Sequence, residues 1–243
     1  MMSDFEERNR TTIAQMHGDV ALESLTRDWF VASVKHGYAH HFTWLGRPII
    51  QYPQDIIAMQ EIIWRTRPDL IVETGVAHGG SLVFYASMLE LLGGDGLVVG
   101  VDVEIRSHNR AAIETHPMSK RIGLIEGSST DEAVLRQVRE RARGRQRVLV
   151  TLDSSHTHEH VRQELQVYSP LIKKDGYLVV FDTVIEEMPD GSIQDRPWGR
   201  GNSPGTAVQA FLSSNDRFVV DREIDGKLLI TAAPGGYLKC VAD

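Results

Sequence analysis

From residue 69 onward, short apolar runs alternate with amphipathic segments, and this alternation restricts the fold more than any other feature of the chain. Strands are predicted over residues 70–72, 97–101, 122–125, 147–152 and 177–181. Helices are predicted between them, over residues 81–92, 109–115, 131–143 and 159–171, and after them over 206–212. Strands separated by helices indicate βαβ units, and strands that are apolar throughout fit a parallel sheet covered on both faces. The sequence therefore predicts a doubly wound, Rossmann-like α/β domain.

Both ends of the chain depart from this alternation. Residues 4–36 are predicted to be helical, and Pro53 suits the start of a further helix because it has no N–H to leave unpaired there. Near the other end, Asp225-Gly226 lies between apolar runs at 218–220 and 227–231, which predicts a β-hairpin. A parallel sheet finished by an antiparallel hairpin strand is the layout of class I S-adenosylmethionine-dependent methyltransferases. We expect an N-terminal helical segment at residues 1–52 and a methyltransferase domain at residues 53–243.

Composition and charge exclude several classes of protein. The 243 residues are 42% hydrophobic and 24% charged, as in ordinary globular domains, and the net charge of −7 argues against a broad nucleic-acid surface. No apolar run reaches the roughly 18 residues of a membrane span, and the N-terminus lacks the apolar core of a signal peptide. With Cys240 as the single cysteine, we expect a cytoplasmic protein. Apolar residues in the N-terminal helices predict a homo-oligomer.

A glycine-rich turn follows the first strand of the predicted sheet. Residues 73–81 read Glu-Thr-Gly-Val-Ala-His-Gly-Gly-Ser, and their E-x-G-x-x-x-G pattern resembles motif I of class I methyltransferases. Ligands of open α/β sheets bind beyond the carboxyl ends of the strands, and glycine lets the backbone approach a ligand closely. The residues assigned here to S-adenosylmethionine are Glu73, Gly75, Ala77, Gly79 and Ser81. A purely structural turn between strand and helix is the alternative.

Two further strand ends complete the predicted cofactor site. Asp102 ends the second strand, where a carboxylate can accept hydrogen bonds from a ribose diol. Its alternative is a helix cap or a surface charge. Glu126 and Ser128 follow the third strand and are assigned to the adenine end, with ordinary helix capping as the alternative.

The fourth and fifth strands end at Asp153 and Asp182. Adjacent strands lie about 5 Å apart, so two carboxylates there repel each other unless a cation or a proton lies between them. Oxygen ligands suit Mg²⁺ or Ca²⁺, and such an ion can lower the pKa of a bound hydroxyl. His156 is close enough in sequence to accept the hydroxyl proton. A solvated loop is the alternative for His156 and the favoured interpretation for His158 and His160.

Residues 185–204 follow Asp182 and show little regular pattern. A long loop at the carboxyl end of a strand is commonly a functional lid. In this predicted lid, Trp198 is assigned to stacking on a sugar face and Arg200 to an anionic group such as a nucleotide diphosphate. A merely structural loop is the alternative.

Five segments give the chain a family resemblance. Over residues 42–241 it resembles the cephalosporin hydroxylase family, which also contains rhamnosyl O-methyltransferases. The segments that carry the resemblance are residues 44–55, 73–81, 152–160, 180–183 and 234–239. The resemblance implies a metal-assisted, S-adenosylmethionine-dependent O-methyltransferase. It implies as acceptor a sugar hydroxyl on a nucleotide deoxysugar, a natural-product glycoside or a surface glycan.

The same resemblance assigns roles to the strand ends. Related sugar O-methyltransferases bind Mg²⁺ through an Asp after the fourth strand and an acidic pair after the fifth, with a histidine base three residues beyond the first Asp. Asp153, Asp182 and His156 match these positions, whereas Phe181 stands where the first acid of the pair is expected.

The sequence also offers a replacement for the missing acidic ligand and two alternatives to methyl transfer. Glu186 or Glu187, in the loop after Asp182, is the candidate replacement ligand. A hydroxylase or oxidoreductase on the same scaffold is the alternative function, although the chain shows no iron-binding triad and no haem cysteine pattern. A non-catalytic cofactor-binding subunit is the third possibility.

Overall fold

In the computed structural model, which describes residues 3–192 and 195–243, a seven-stranded sheet forms the centre of the chain and a two-stranded sheet lies apart from it. The strands are β1 (Phe42–Trp44), β2 (Arg47–Ile49), β3 (Leu70–Thr74), β4 (Leu97–Asp102), β5 (Ile122–Glu126), β6 (Val148–Leu152), β7 (Tyr177–Val180), β8 (Phe218–Val220) and β9 (Tyr237–Cys240). The helices are α1 (Asp4–Met16), α2 (Val20–Val34), α3 (Pro53–Thr66), α4 (Gly80–Leu92), α5 (Ser107–Glu114), α6 (Glu132–Ala142), α7 (His158–Tyr168), α8 (Pro204–Leu212) and α9 (Arg222–Leu228).

The order of the strands puts the switch point beside β3. The sheet runs β5, β4, β3, β6, β7, β9, β8, so successive strands extend to one side of β3 and then to the other. The first five strands in this order are parallel, and β9 is antiparallel to both of its neighbours. Thr74, Leu152 and Val180 lie side by side in register at the ends of β3, β6 and β7. The residues that follow these three strands therefore meet at one edge of the sheet, where ligands of open α/β sheets bind.

Helices cover the sheet on both faces, as the apolar strands predict. One core layer joins α3 and α4 to the sheet through buried side chains such as Met59 and Phe84. The other layer joins α6, α7 and α8 through residues such as Leu165 and Phe211. Each large apolar side chain fully buried in this way contributes about 2 kcal/mol to the free energy of unfolding. The strands β3, β6 and β7 lie between the two layers and are buried along their whole length.

The antiparallel end of the sheet is confirmed, but the predicted hairpin over residues 218–231 is wrong. The β8 strand forms where it is predicted, whereas residues 227–231 are not a strand. The chain instead continues from β8 into α9, and the later strand β9 pairs with β8 and β7.

Local capping and packing explain why the Asp-Gly pair lies in a helix. The Asp221 side chain accepts hydrogen bonds from the N–H groups of Glu223 and Ile224, which starts α9 immediately after β8. Gly226 faces α1, and a Cβ on it would lie 3.3 Å from Cβ of His17. The glycine therefore serves the close packing of α1 against α9.

The predicted helical N-terminus is confirmed as two helices, α1 and α2. Val20 and Leu25 of α2 are 77% and 67% exposed. The β1–β2 hairpin that follows packs on α4, where Trp44 Nε1 donates to Ser87 Oγ at 3.0 Å. Among the described residues, no helix has both the length and the apolar character needed to cross a membrane.

A buried carboxylate ties α3 to the C-terminal segment, and we call this group of contacts the Asp55 clamp. Asp55 accepts hydrogen bonds from the Tyr237 hydroxyl at 2.7 Å, from the Ala232 N–H at 2.8 Å, and from the Thr231 hydroxyl. Burial raises the pKa of Asp55 to about 6, although these hydrogen bonds oppose the shift. Donors that are held inside the protein need this acceptor because water does not reach them.

Removing the Asp55 clamp should destabilise the fold. We expect Asp55→Ala to lower the free energy of unfolding by about 3 kcal/mol, because it leaves buried donors without an acceptor. Asp55→Asn keeps one carbonyl acceptor and should cost less. As control, Asp95→Ala removes a 92% exposed carboxylate paired with Arg145 and should change little. Urea unfolding measures the free energy of unfolding of all three variants. Equal losses for Asp55→Ala and Asp95→Ala would contradict the stabilising role of the Asp55 clamp.

Candidate active site

A cavity of about 770 Å³ opens at the carboxyl ends of the parallel strands. Its lining brings together most of the residues predicted for the site, namely Gly75, Ala77, Gly79, Ser81, Asp102, Ser128, Asp153, His156, Asp182 and Trp198. Glu73, Glu126 and Arg200 are not part of the lining. A cavity of this size is typical of sites for small molecules and cofactors.

Close backbone contacts explain two glycines of the turn after β3. Gly75 has φ of 93°, and a Cβ on it would lie 1.9 Å from the carbonyl oxygen of Asp153. A Cβ on Gly80 would lie 2.1 Å from the carbonyl oxygen of Pro48 in the β1–β2 hairpin. The first glycine therefore lets the ends of β3 and β6 touch, and the second lets the hairpin close over the start of α4.

Glu73 lies beneath the turn. Its Oε2 accepts a hydrogen bond from Ser81 Oγ at 2.6 Å, which ties the strand end to the first turn of α4. Burial raises its pKa to about 8, against the opposing effect of the Ser81 hydrogen bond. Its Oε1, the Tyr85 hydroxyl and the Gln51 amide are buried, and none of them has a hydrogen-bond partner within the described part of the chain. Gln51 and Tyr85 belong to this buried polar group, and no motif in the sequence marks either of them as a site residue.

Asp102 braces the turn from the neighbouring strand. Its Oδ2 accepts hydrogen bonds from the N–H groups of Val76 at 2.7 Å and Ala77 at 3.3 Å. Its Oδ1 accepts a hydrogen bond from the N–H of Glu104 at 3.1 Å. The carboxylate therefore fixes the loop conformation and also lines the cavity, where its role toward a ribose stays a prediction.

The two residues at the end of β5 that are assigned to adenine lie in different environments. Ser128 lines the cavity, whereas Glu126 points to the surface and pairs with Arg110 at 2.7 Å. The structure adds Ser129 and His160, which line the same region and contact each other at 3.0 Å. His160 is therefore a cavity residue rather than a solvated one.

Asp153, His156 and Asp182 form a compact cluster. One ligand atom from each lies within 4.8 Å of the others, and His156 Nδ1 is 3.2 Å from Asp182 Oδ2. Burial and the charge of Asp182 raise the pKa of Asp153 well above its usual range. Two carboxylates this close together make a donor set that fits a divalent cation, and the imidazole lies beside them.

The structure places neither candidate replacement ligand at this cluster. Phe181 is 2% exposed and packs in the core. Glu186 Oε2 accepts hydrogen bonds from the Gly201 N–H at 2.9 Å and from Ser203 Oγ at 2.7 Å, while Glu187 is exposed. The expectation that one of these glutamates replaces the missing acid is therefore not met.

The predicted lid is described except for residues 193 and 194, which lie outside the described residues. Trp198 lines the cavity and packs its ring against His156, with ring centroids 4.9 Å apart and planes at 70°. Arg200 is exposed and lies away from the cavity lining. Its assignment to an anionic group of the substrate has no support from this placement.

The wall of the cavity opposite the strand ends is aromatic and comes from the N-terminal segment. Phe30 stacks on Tyr52 with ring centroids 4.9 Å apart, and Tyr38 lies 5.8 Å from Tyr52. All three rings line the cavity, and exposed His40 lines it beside them. Residues 30–52 therefore build part of the site, although the sequence predicts them to lie outside the catalytic domain.

Comparisons with known proteins identify the family of the chain. The family model described as Rhamnosyl O-methyltransferase/CmcI matches residues 36–241. A rhamnosyl O-methyltransferase of Mycobacterium tuberculosis is 31% identical over 203 residues, which cover 81% of this chain and 77% of the relative. The family resemblance predicted from the sequence is confirmed, and the hydroxylase alternative gains no support from these relatives.

Two solved structures share the fold. The apo structure of CmcI-N160 has a TM-score of 0.59 at 20% identity and covers 84% of this chain and 78% of its own. The Mg-SAM complex of cmcI-D160 has a TM-score of 0.57 at 19% identity and the same coverage. These likenesses establish the class I methyltransferase architecture of the sheet and helices.

The buried Glu73 should make stability depend on pH. Its pKa rises from an ordinary 4.5 to about 8, so between these values the folded chain holds the proton more tightly than the unfolded chain. The free energy of unfolding contributed by Glu73 should therefore fall as pH rises through this interval. We expect Glu73→Gln to flatten that fall in urea unfolding. The control Glu126→Gln removes an exposed carboxylate and should keep it, and parallel profiles for wild type and Glu73→Gln would contradict the assignment.

Proposed function

The chain belongs to the rhamnosyl O-methyltransferase/CmcI family of S-adenosylmethionine-dependent O-methyltransferases, and from this premise we propose that its acceptor is a sugar hydroxyl. The sugar is a deoxysugar carried by a nucleotide, a natural product or a surface glycan. The observation that carries the proposal is the cluster of Asp153, His156 and Asp182 in the same cavity as the glycine-rich turn. That arrangement brings a methyl-donor site and a proton acceptor to one edge of the sheet.

The charge of the cavity suits a cationic methyl donor. Asp102, Asp153 and Asp182 line it, whereas Glu73, whose pKa burial raises to about 8, is mainly protonated at neutral pH and adds little charge. A sulfonium ion beside these carboxylates gains more from the attraction than it would in water, because the surrounding protein screens charges less. We propose that the turn over residues 73–81 holds the donor and that Asp102 keeps this turn in its binding conformation.

His156 is the proposed base. Its Nδ1 faces Asp182 Oδ2 at 3.2 Å, so an Nδ1–H donated to this carboxylate leaves Nε2 free to accept a proton. The deprotonated hydroxyl oxygen then attacks the methyl carbon, a new C–O bond forms, and the C–S bond breaks. Placing the oxygen in line with the methyl group is the main task of the protein in such a reaction.

Asp153 and Asp182 are the proposed metal ligands. When bound, Mg²⁺ or Ca²⁺ supplies Lewis-acid chemistry that lowers the pKa of the acceptor hydroxyl. The core position of Phe181 leaves these two carboxylates as the protein's acidic ligands within the described residues. Mg²⁺ commonly keeps several waters and binds one or two protein carboxylates. Two carboxylates are therefore sufficient when waters and substrate oxygens supply the other ligands.

A homo-oligomer is part of the proposal. It is supported by the exposed apolar residues of the N-terminal helices, such as Phe5 at 65%, Val20 at 77% and Leu25 at 67%. Several large exposed apolar side chains in one segment are expected where a chain contacts another protein.

Methyl transfer and metal dependence can be tested together. With methyl-labelled S-adenosylmethionine and a panel of nucleotide-linked and glycoside-linked deoxysugars, we expect label in at least one acceptor. The transfer should fall on treatment with EDTA and return with Mg²⁺, and a parallel arm with Ca²⁺ distinguishes the ions. Failure to bind S-adenosylhomocysteine in calorimetry would remove the proposal. Transfer that EDTA leaves unchanged would remove its metal component.

The base can be tested by substitution. His156→Ala should lower kcat by about 10²-fold or more, while the affinity for S-adenosylhomocysteine stays unchanged, because the turn that holds the cofactor is intact. The matched control is His158→Ala, whose ring contacts Thr206 Oγ1 at 2.8 Å and does not line the cavity. Equal losses of kcat in the two variants would contradict the role of His156.

A further inference from the structure

We propose that Glu186 and Asn202 are positioning residues that hold Trp198 against the ring of His156. We call residues 195–203 the strap; this segment carries Trp198, which lines the cavity beside the cluster. The importance of the ring orientation rests on the proposed function of His156 as base. The contacts that fix the strap do not depend on that function.

Glu186 is the first anchor of the strap. It lies on the short 3₁₀ helix Thr183–Glu187, directly after Asp182. Its Oε2 accepts hydrogen bonds from the Gly201 N–H at 2.9 Å and from Ser203 Oγ at 2.7 Å. Hydrogen bonds to an ionised acceptor are stronger than those between neutral groups. The carboxylate therefore joins the strap to the end of β7.

Asn202 is the second anchor. Its Oδ1 accepts a hydrogen bond from the N–H of His158 at 2.9 Å, and its Nδ2 donates to the Pro197 carbonyl at 2.7 Å. Gly199 and Asn202 also exchange two backbone hydrogen bonds, of 3.1 and 2.9 Å, which close a tight turn. The strap is thereby joined to the first turn of α7, which begins two residues after His156.

Trp198 lies between these anchors and meets His156. The two ring centroids are 4.9 Å apart with planes at 70°, and the Arg196 guanidinium lies 5.3 Å from the Trp198 ring centroid. His156 Nδ1 also lies 3.2 Å from Asp182 Oδ2. The contact with Asp182 alone lets the imidazole rotate about the line from Nδ1 to Oδ2. The contact with the Trp198 ring removes this freedom.

The strap is fixed by polar contacts and contributes little to the core. Arg196, Pro197 and Arg200 are exposed, and Trp198 is half-buried. Apolar packing therefore does not hold this segment in place, and its hydrogen bonds do. The one side chain that these bonds deliver into the cavity is Trp198.

Nuclear magnetic resonance of histidine rings tests the positioning without any methyl acceptor. In protein labelled with ¹³C and ¹⁵N in histidine, the His156 ring signals are identified by their loss in His156→Gln. Trp198→Leu should displace these signals, because the ring current of the indole is removed. Glu186→Ala and Asn202→Ala should displace them toward the Trp198→Leu positions. Glu186→Gln keeps an acceptor oxygen and should stay near wild type.

The matched control is Glu187→Ala, which removes the adjacent, exposed carboxylate and should leave the His156 signals in place. The double variant Glu186→Ala/Trp198→Leu should displace them no further than Trp198→Leu alone. Displacement by Glu187→Ala equal to that by Glu186→Ala, or additive effects in the double variant, would overturn the proposal. Asn202→Ala gives an independent result if Glu186→Ala fails to fold.

Kinetics with an acceptor from the deoxysugar panel add a functional readout. Glu186→Ala should lower kcat by up to about 10²-fold while the KM for S-adenosylmethionine stays unchanged, because the base and not the donor is misplaced. A rise in this KM without a fall in kcat would contradict positioning of His156. Failure of the proposed function would appear as absent S-adenosylhomocysteine binding, and the resonance measurement would still decide the role of the strap.

Discussion

The main-chain contact between the ends of β3 and β6 is the constraint on which the site depends. Gly75 has no side chain and lies against the Asp153 carbonyl, and the Asp153 N–H donates to the Thr74 carbonyl at 2.9 Å. The glycine-rich turn and the acidic cluster are therefore joined by backbone rather than by flexible side chains. If the turn holds the donor and the cluster the acceptor, as proposed, this backbone contact sets the separation that in-line transfer needs.

Several carboxyl groups of this structure are buried, and burial changes their pKa. Burial raises the pKa of Asp55, Glu73 and Asp153, so each carboxylate is less stable in its ionised form than it would be in water. Three hydrogen bonds offset the cost of ionising Asp55, and one from Ser81 partly offsets that of Glu73, whereas Asp153 lies where positive charge is expected to bind. A cation that binds only the folded chain also stabilises it, so part of the cost of these acids is recovered on binding.

The sequence could predict what depends on local pattern. Strands that are apolar throughout identified the sheet, and the acids at their ends located Asp102, Asp153 and Asp182, because every parallel strand ends at the same edge. The hairpin prediction failed because Asp225-Gly226 is a local signal, whereas the capping by Asp221 and the approach of α1 decide the outcome. The direction of Glu126 and the role of Glu186 as an anchor depend on contacts between segments distant in sequence, which no periodicity reveals.

The aromatic wall of the cavity and the glycine-rich turn belong to different parts of the chain. Tyr38 and Tyr52 come from the segment before the sheet begins, and the Asp55 clamp holds the helix that follows them. A substitution in this wall changes the shape of one side of the cavity and leaves the strand ends where they are. The two sides of the cavity can therefore change independently of each other.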